Sequence, residues 1–224
     1  MTEHEPTHPP PGDLSAITQA VIRGDNKLSR SLTEQALAAG TPPLALLNDY
    51  LVPAMNEVGR RFECSEFFIP ELLLAARAMK ASLELLRPIL ARCGTEPIGR
   101  AIVGTVRGDL HDVGKNLVVS LLEGGGFHVV DLGVNVAPEK FVSATLEHKA
   151  QIVGLSALLT TTMPSMRLTI EAFRKAGIRD RVKILVGGAP VTQRFADEIG
   201  ADGYGENAPA AVALARSCLG RPPS

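Results

Sequence analysis

Asp109 and His111 are the residues of this 224-residue chain whose types and spacing best suit chemistry at a bound centre. They sit in Asp109-Leu110-His111-Asp112-Val113-Gly114, between a short apolar run and the start of a helical pattern. A carboxylate two residues before an imidazole can reach one ring nitrogen, fix the tautomer, and leave the other nitrogen facing a ligand or metal. Asp112 is placed to cap the helix that follows. Gly114, at its start, would let a bulky flat ligand approach the backbone. Standing alone, Asp-x-His more often marks a turn with a solvated histidine. His4 and His8 lie near the N-terminus, and His128 and His148 have no acidic neighbour at ligand spacing. One histidine is too few for a zinc site, which takes three or four protein ligands. If His111 binds a metal, a cofactor must supply the remaining ligands, which points to a macrocycle.

The elements that must position this pair follow from periodicity. Up to about Arg92 the sequence reads as helix, with apolar residues three and four apart. The expected helices are Leu14 to Ile22, stopped by Gly24-Asp25; Asn26 to Ala39, stopped by Gly40; Pro43 to Phe62; and Ile69 to Ala91. The last is apolar around much of its circumference, as in a small bundle. Cys93-Gly94-Thr95-Glu96-Pro97 breaks the pattern and the period changes. Ala101 to Val106 is a short apolar run, as expected of a strand buried on both faces. Strands near Phe127–Asp131, Ile152–Ser156, Val182–Val186 and Asp202–Tyr204 alternate with helices at Val113–Glu123, Pro138–His148, Pro164–Ala176, Val191–Ile199 and Ala208–Leu219. Five strand–helix pairs predict an α/β fold, a doubly wound, Rossmann-like parallel sheet behind an N-terminal helical bundle. Such sheets bind ligands at the carboxyl ends of their strands, which is where Asp109 and His111 fall.

The expected organisation is a disordered tail over 1–12, a helical domain over 13–92, a linker over 93–98, a ligand-binding domain over 99–220 and a tail over 221–224. A net charge of -1 argues against a nucleic-acid partner. No apolar run approaches the roughly 18–20 residues that span a bilayer, and the polar N-terminus lacks the apolar core of a signal peptide. Cys64, Cys93 and Cys218 show no paired or metal-type spacing, which suits a reducing cytoplasm. Trp is absent, which argues against an aromatic binding platform.

Asp109-Leu110-His111-Asp112-Val113-Gly114 resembles the Asp-x-His-x-x-Gly signature of the cobalamin-binding domains of methionine synthase, corrinoid methyltransferase proteins and B12-dependent mutases. Two more stretches match in order and spacing. Gly154-Leu155-Ser156-Ala157-Leu158-Leu159-Thr160 resembles the Ser-x-Leu motif after the third strand, and Val186-Gly187-Gly188-Ala189 the Gly-Gly motif after the fourth. The segments Pro53 to Phe62 and Phe67 to Met79 resemble the helical cap of corrinoid methyl carriers, so the resemblance covers about Asp13 to Leu219.

The resemblance implies a flavodoxin-like cobalamin-binding domain, with cobalamin as cofactor and His111 as the metal ligand in place of the displaced dimethylbenzimidazole. It implies further contacts from Asp109, Asp112, Val113, Gly114, Ser156, Leu158, Thr160, Thr162, Gly187 and Gly188. Ser156 and Thr160 would offer hydroxyls to the nucleotide arm, Gly187 and Gly188 would make room for it, and Thr162 would extend the Asp109–His111 pair. From the cap, Phe68 and Leu72 would cover the corrin, with Phe67 and Met79 as further candidates. The implied function is a non-catalytic methyl carrier between a substrate-specific methyltransferase and a tetrahydrofolate- or thiol-directed one, serviced by a reductive activase. His111 would detach on demethylation, with Asp109 helping to accommodate the proton. The alternative is a cobalamin-responsive sensor, which the missing Trp and missing DNA-binding module disfavour; the small subunit of a mutase is disfavoured by the cap.

Overall fold

The change of period near residue 97 is realised in the computed structural model, which describes residues 15–92 and 97–220. The expected tails over 1–12 and 221–224, and most of the expected linker, lie outside the described residues. Two compact units part at residues 94 and 95.

The first unit is helical: α1 (Ser15–Ile22), α2 (Asn26–Ala38), α3 (Pro43–Ala45), a π-helical turn (Leu46–Leu51), α4 (Val52–Glu63) and α5 (Ile69–Arg92). Asp25 caps α2 by accepting a hydrogen bond from the Leu28 amide at 2.9 Å. One helix is expected from Pro43 to Phe62, but a π turn interrupts it. Pro53, at the start of α4, cannot donate to the carbonyl of Asp49 and its ring crowds that carbonyl; widening the preceding turn relieves both conflicts. The Thr18 hydroxyl donates to the carbonyl of Tyr50 within the widened turn at 3.1 Å. On α5, Leu72, Ala76, Met79, Leu83 and Leu86 form a buried stripe at three- and four-residue spacing.

The second unit alternates β1 (Arg100–Thr105), α6 (Val113–Gly124), β2 (His128–Asp131), α7 (Pro138–His148), β3 (Ile152–Ser156), α8 (Pro164–Lys175), β4 (Lys183–Gly187), α9 (Gln193–Ile199), β5 (Gly203–Gly205) and α10 (Ala208–Cys218), with a short 3-10 turn at Arg179–Arg181 that periodicity does not reveal. The sheet is wholly parallel in the order β2-β1-β3-β4-β5. Alternate residues of the central strands feed opposite layers. Ile102, Val153, Leu155, Ile184 and Val186 pack with Phe141, Met166, Ile170 and Phe173 of α7 and α8. Ala101, Val103, Ile152 and Leu185 pack with Leu122 of α6 and Ala215 of α10. Burial on both faces explains why the strands read as unbroken apolar runs.

This order makes β1 and β3 neighbours whose following loops part to opposite faces of the sheet. The crevice between them is the topological switch point, where ligands of such sheets bind.

Candidate functional site

The loop after β1 carries Asp109 and His111 into this crevice. The Asp109 side chain is fully buried, whereas the His111 side chain is 50% exposed. One carboxylate oxygen of Asp109, Oδ1, accepts from His111 Nδ1 at 2.8 Å and from the His111 amide at 3.1 Å. The other, Oδ2, accepts from the Thr162 hydroxyl at 2.7 Å and from the amides of Leu158 and Leu159 at 2.7 and 3.3 Å. The loops after β1 and β3 are therefore joined through a single carboxylate. Thr105, at the end of β1, donates its hydroxyl to the His111 carbonyl at 2.8 Å and so fixes the histidine backbone as well.

Burial by itself would raise the Asp109 carboxyl. The hydrogen bonds from Thr162, from the Leu158 and His111 amides and from the imidazole outweigh it and hold the group well below the usual carboxylate range. An ionised carboxylate only accepts, so Nδ1 carries the hydrogen and, in the neutral ring, Nε2 presents a lone pair away from Asp109. That is the protonation pattern a metal-ligating imidazole needs. The carboxylate is saturated by five donors, one of them the imidazole.

Thr162 is thus the third member of the Asp109–His111 chain. Its hydroxyl also lies 2.8 Å from the Leu159 carbonyl, so its one hydrogen serves two acceptors, the ionised one being the stronger. It does not cap α8, whose first residue is preceded by Met163. Asp112 occupies the N-cap position of α6 but makes no side-chain capping bond; its carboxylate instead accepts from Asn116 Nδ2 at 3.1 Å. Around Gly114 an added Cβ would meet no atom within 4 Å, so its lack of a side chain leaves open surface. Leu110, Val113, Leu158 and Leu159, beside the histidine, are all exposed.

Ser156 ends β3 and lies in register with Gly187 of β4. Thr160 is exposed in the loop after β3. The two glycines each stand against backbone. A Cβ on Gly188, whose φ is +130°, would stand 1.9 Å from the Ala157 carbonyl oxygen, and one on Gly187 would stand 2.9 Å from the Gly205 oxygen. Their lack of a side chain allows strand ends to approach one another. In the helical unit Phe68 is 63% exposed, so its ring is open to a bound group, whereas Leu72 is completely buried in the α5 stripe. The expectation of a corrin contact from Leu72 is corrected accordingly; its apolar character serves packing. Met79 is buried in the same stripe, and Phe67 lies under the Arg61 guanidinium at 5.3 Å.

Two contributors to the site escaped the sequence reading. Asn135, in the loop after β2, donates its amide to the Asp109 carbonyl at 2.9 Å and accepts from the Gly108 amide at 2.8 Å through its side chain. Its positive φ of 54° suits Asn and was the available signal. Lys115 follows the glycine of the motif, is buried, and bonds Asp131 at the end of β2.

Two family models, each described as a B12 binding domain, match residues 99–213 and residues 14–87. The chain is 46% identical to trimethylamine corrinoid protein 2 of Methanosarcina mazei over 208 residues, which is 92% of this chain and 95% of the relative. The chain belongs to the B12-binding corrinoid proteins. It is 39% identical to a corrinoid protein of Desulfitobacterium hafniense over 211 residues, 93% of this chain and 98% of that one. Among solved structures it resembles the methanol:cobalamin methyltransferase complex of Methanosarcina barkeri, with a TM-score of 0.83 and 29% identity, covering 94% of this chain and 81% of the other. A cobalamin-binding protein from Desulfitobacterium hafniense gives 0.76 and 32%, covering 92% and 98%.

The cofactor is accordingly a cobalt corrinoid of the cobalamin type, and the residues fit it. A macrocyclic cofactor would bring most of the metal's ligands with it, so that a single imidazole such as His111 could complete the set; among the described residues no group of three or more His, Cys, Asp or Glu could hold a metal unaided. Exposed Leu110 and Val113, the open surface at Gly114, and the outward Nε2 offer a broad, mainly apolar face with one nitrogen donor. Among the described residues no helix is long and apolar enough to cross a membrane.

Proposed function

We propose that this protein is a methyl carrier that binds cobalamin base-off and His-on through His111, passing a methyl group from a substrate-specific methyltransferase to a second methyltransferase. The bound corrinoid supplies a cobalt centre able to accept and surrender a methyl group; the bond chemistry is the cofactor's. The protein's part is performed by its own groups. Asp109 holds the imidazole in the tautomer that leaves Nε2 bare, and Thr162 with the Leu158 and Leu159 amides keeps Asp109 ionised and still. The observation that carries the reading is this buried, five-times-bonded carboxylate behind a half-exposed histidine.

The same geometry makes the ligand releasable. The His111 side chain is half exposed while Asp109 holds it through Nδ1, so Nε2 can leave a bound group without breaking that contact.

Several relatives are named as trimethylamine or dimethylamine corrinoid proteins, so we place the methyl donor among the N-methylamines. The partner enzyme selects the donor, and the chain is not an enzyme on its own. The test is a transfer assay with reduced holo-protein, a methylamine and the candidate partner methyltransferases in purified form. Transfer that depends on the holo-protein and on both partners is expected. Equal transfer without this protein, or transfer by this protein without any partner, would contradict the carrier role.

A further inference from the structure

Lys115 is placed where a lysine costs most. It occupies the third residue of α6, where the helix dipole disfavours a cation, and its side chain is only 2% exposed. The pair sets a buried ammonium against a carboxylate one third exposed, and burying a charge in this way seldom outperforms apolar packing, so stability alone does not account for it. Its bonds point to another role. Nζ donates to Asp131 Oδ2 at 2.5 Å and to Asn116 Oδ1 at 2.6 Å. Asn116 in turn donates to the Asp112 carboxylate at 3.1 Å, and its amide to the Asp112 carbonyl at 2.7 Å.

Asp131 carries the connection to the far side of the histidine loop. Its Oδ1 accepts from the Gly133 amide at 2.9 Å. Two residues on, Asn135 donates to the Asp109 carbonyl and accepts from Gly108. The Gly133 carbonyl accepts from the Thr105 amide at 3.0 Å, and Thr105 holds the His111 carbonyl. A closed circuit thus runs from Asp112 through Asn116, Lys115, Asp131 and the 133–135 turn back to Asp109. It encloses the 108–112 loop on the side opposite Thr162 and the Leu158–Leu159 amides.

We propose that Lys115 is a positioning residue for His111: by tying the start of α6 to Asp131 it clamps the β2–α7 loop against the 108–112 loop and holds the imidazole at its ligating angle. This rests on the reading of His111 as the cobalt ligand, and two readouts separate the claims. The first is amide hydrogen exchange in the apo-protein of wild type, Lys115→Met and Asp131→Asn. Exchange at Gly108, Gly133 and Asn135 should speed up by about 10-fold or more in both variants, with central-strand amides unchanged. The second is titration with aquocobalamin, following the visible spectral change that His111→Ala abolishes. That change should require about 10- to 100-fold more ligand in the two variants, the usual effect of losing an outer-shell partner.

Asp131→Asn keeps the acceptor for Gly133 while removing the lysine's counter-charge, so it serves even if Lys115→Met fails to fold. Unaltered loop exchange and unaltered titration in Asp131→Asn would overturn the proposal, as would a loss of thermal stability with the histidine-dependent titration intact. If wild type and His111→Ala give the same spectrum, the ligand assignment fails, while the apo-protein exchange rates still decide whether Lys115 holds the loop.

Discussion

Five donors converge on the Asp109 carboxylate, and this sets the behaviour of each neighbouring side chain. Asp109→Asn would turn an amide NH2 or a single oxygen toward donors now satisfied by a charge. It should lower stability by about 2–4 kcal/mol in urea unfolding at neutral pH. The pH dependence follows from the depressed carboxyl. Its stabilisation is complete above the ordinary unfolded value near about 4 and is lost as pH falls below that toward the lower folded value. The stability gap between wild type and Asp109→Asn should therefore narrow as pH drops below about 4, and a gap that widened there would contradict the assignment. Thr162→Ser should leave stability and cobalamin affinity near wild type, while Thr162→Ala should cost about 1–2 kcal/mol and weaken the histidine-dependent spectrum. Spacing alone suggested Asp109 with His111. That Leu158 and Leu159 contribute amides rather than side chains was not legible, because a backbone donor leaves no mark on residue type.

At the scale of elements, the glycines separate architecture from ligand contact. Gly188→Ala should destabilise the apo-protein by about 3 kcal/mol or more, since both its φ and the Ala157 oxygen exclude a Cβ. Gly114→Ala should be neutral or stabilising by up to about 1 kcal/mol without ligand, because the position is helical and open. Its effect should appear only in cobalamin affinity, and an unchanged affinity would show that the backbone there is not approached. Thermal unfolding of both apo variants, followed by titration, checks the pair. In the second unit the central strands were readable because burial on both faces leaves unbroken apolar runs between glycine and proline stops; β2, exposed at both ends, and the three-residue β5 were read from the strand–helix alternation instead. The π turn at Leu46–Leu51 was not, since its apolar residues keep nearly helical spacing and only Pro53 hints at the conflict. Leu72 misled for a related reason: an apolar residue on a helix carries no sign of whether its side faces the core or a ligand.

At the scale of the whole molecule, the chain carries a bundle with exposed Phe68 and a sheet unit in which Asp109 and His111 are already paired with one another. A carrier built this way should show no methyl transfer when incubated alone with a methylamine and reduced cobalamin, and transfer only when the partner enzymes are added. The order β2-β1-β3-β4-β5 explains why three short motifs far apart in sequence belong together, since it sets the loops after β1 and β3 side by side and Gly187 beside Ser156. The central claim, that His111 supplies the axial nitrogen, is tested most directly by electron paramagnetic resonance of the protein loaded with cob(II)alamin of natural isotopic composition, using protein grown with 15N-labelled histidine. A protein imidazole on cobalt would split the superhyperfine lines into doublets, and His111→Ala would abolish them. Triplets from the 14N of the cofactor's own base in the labelled wild type would contradict the account.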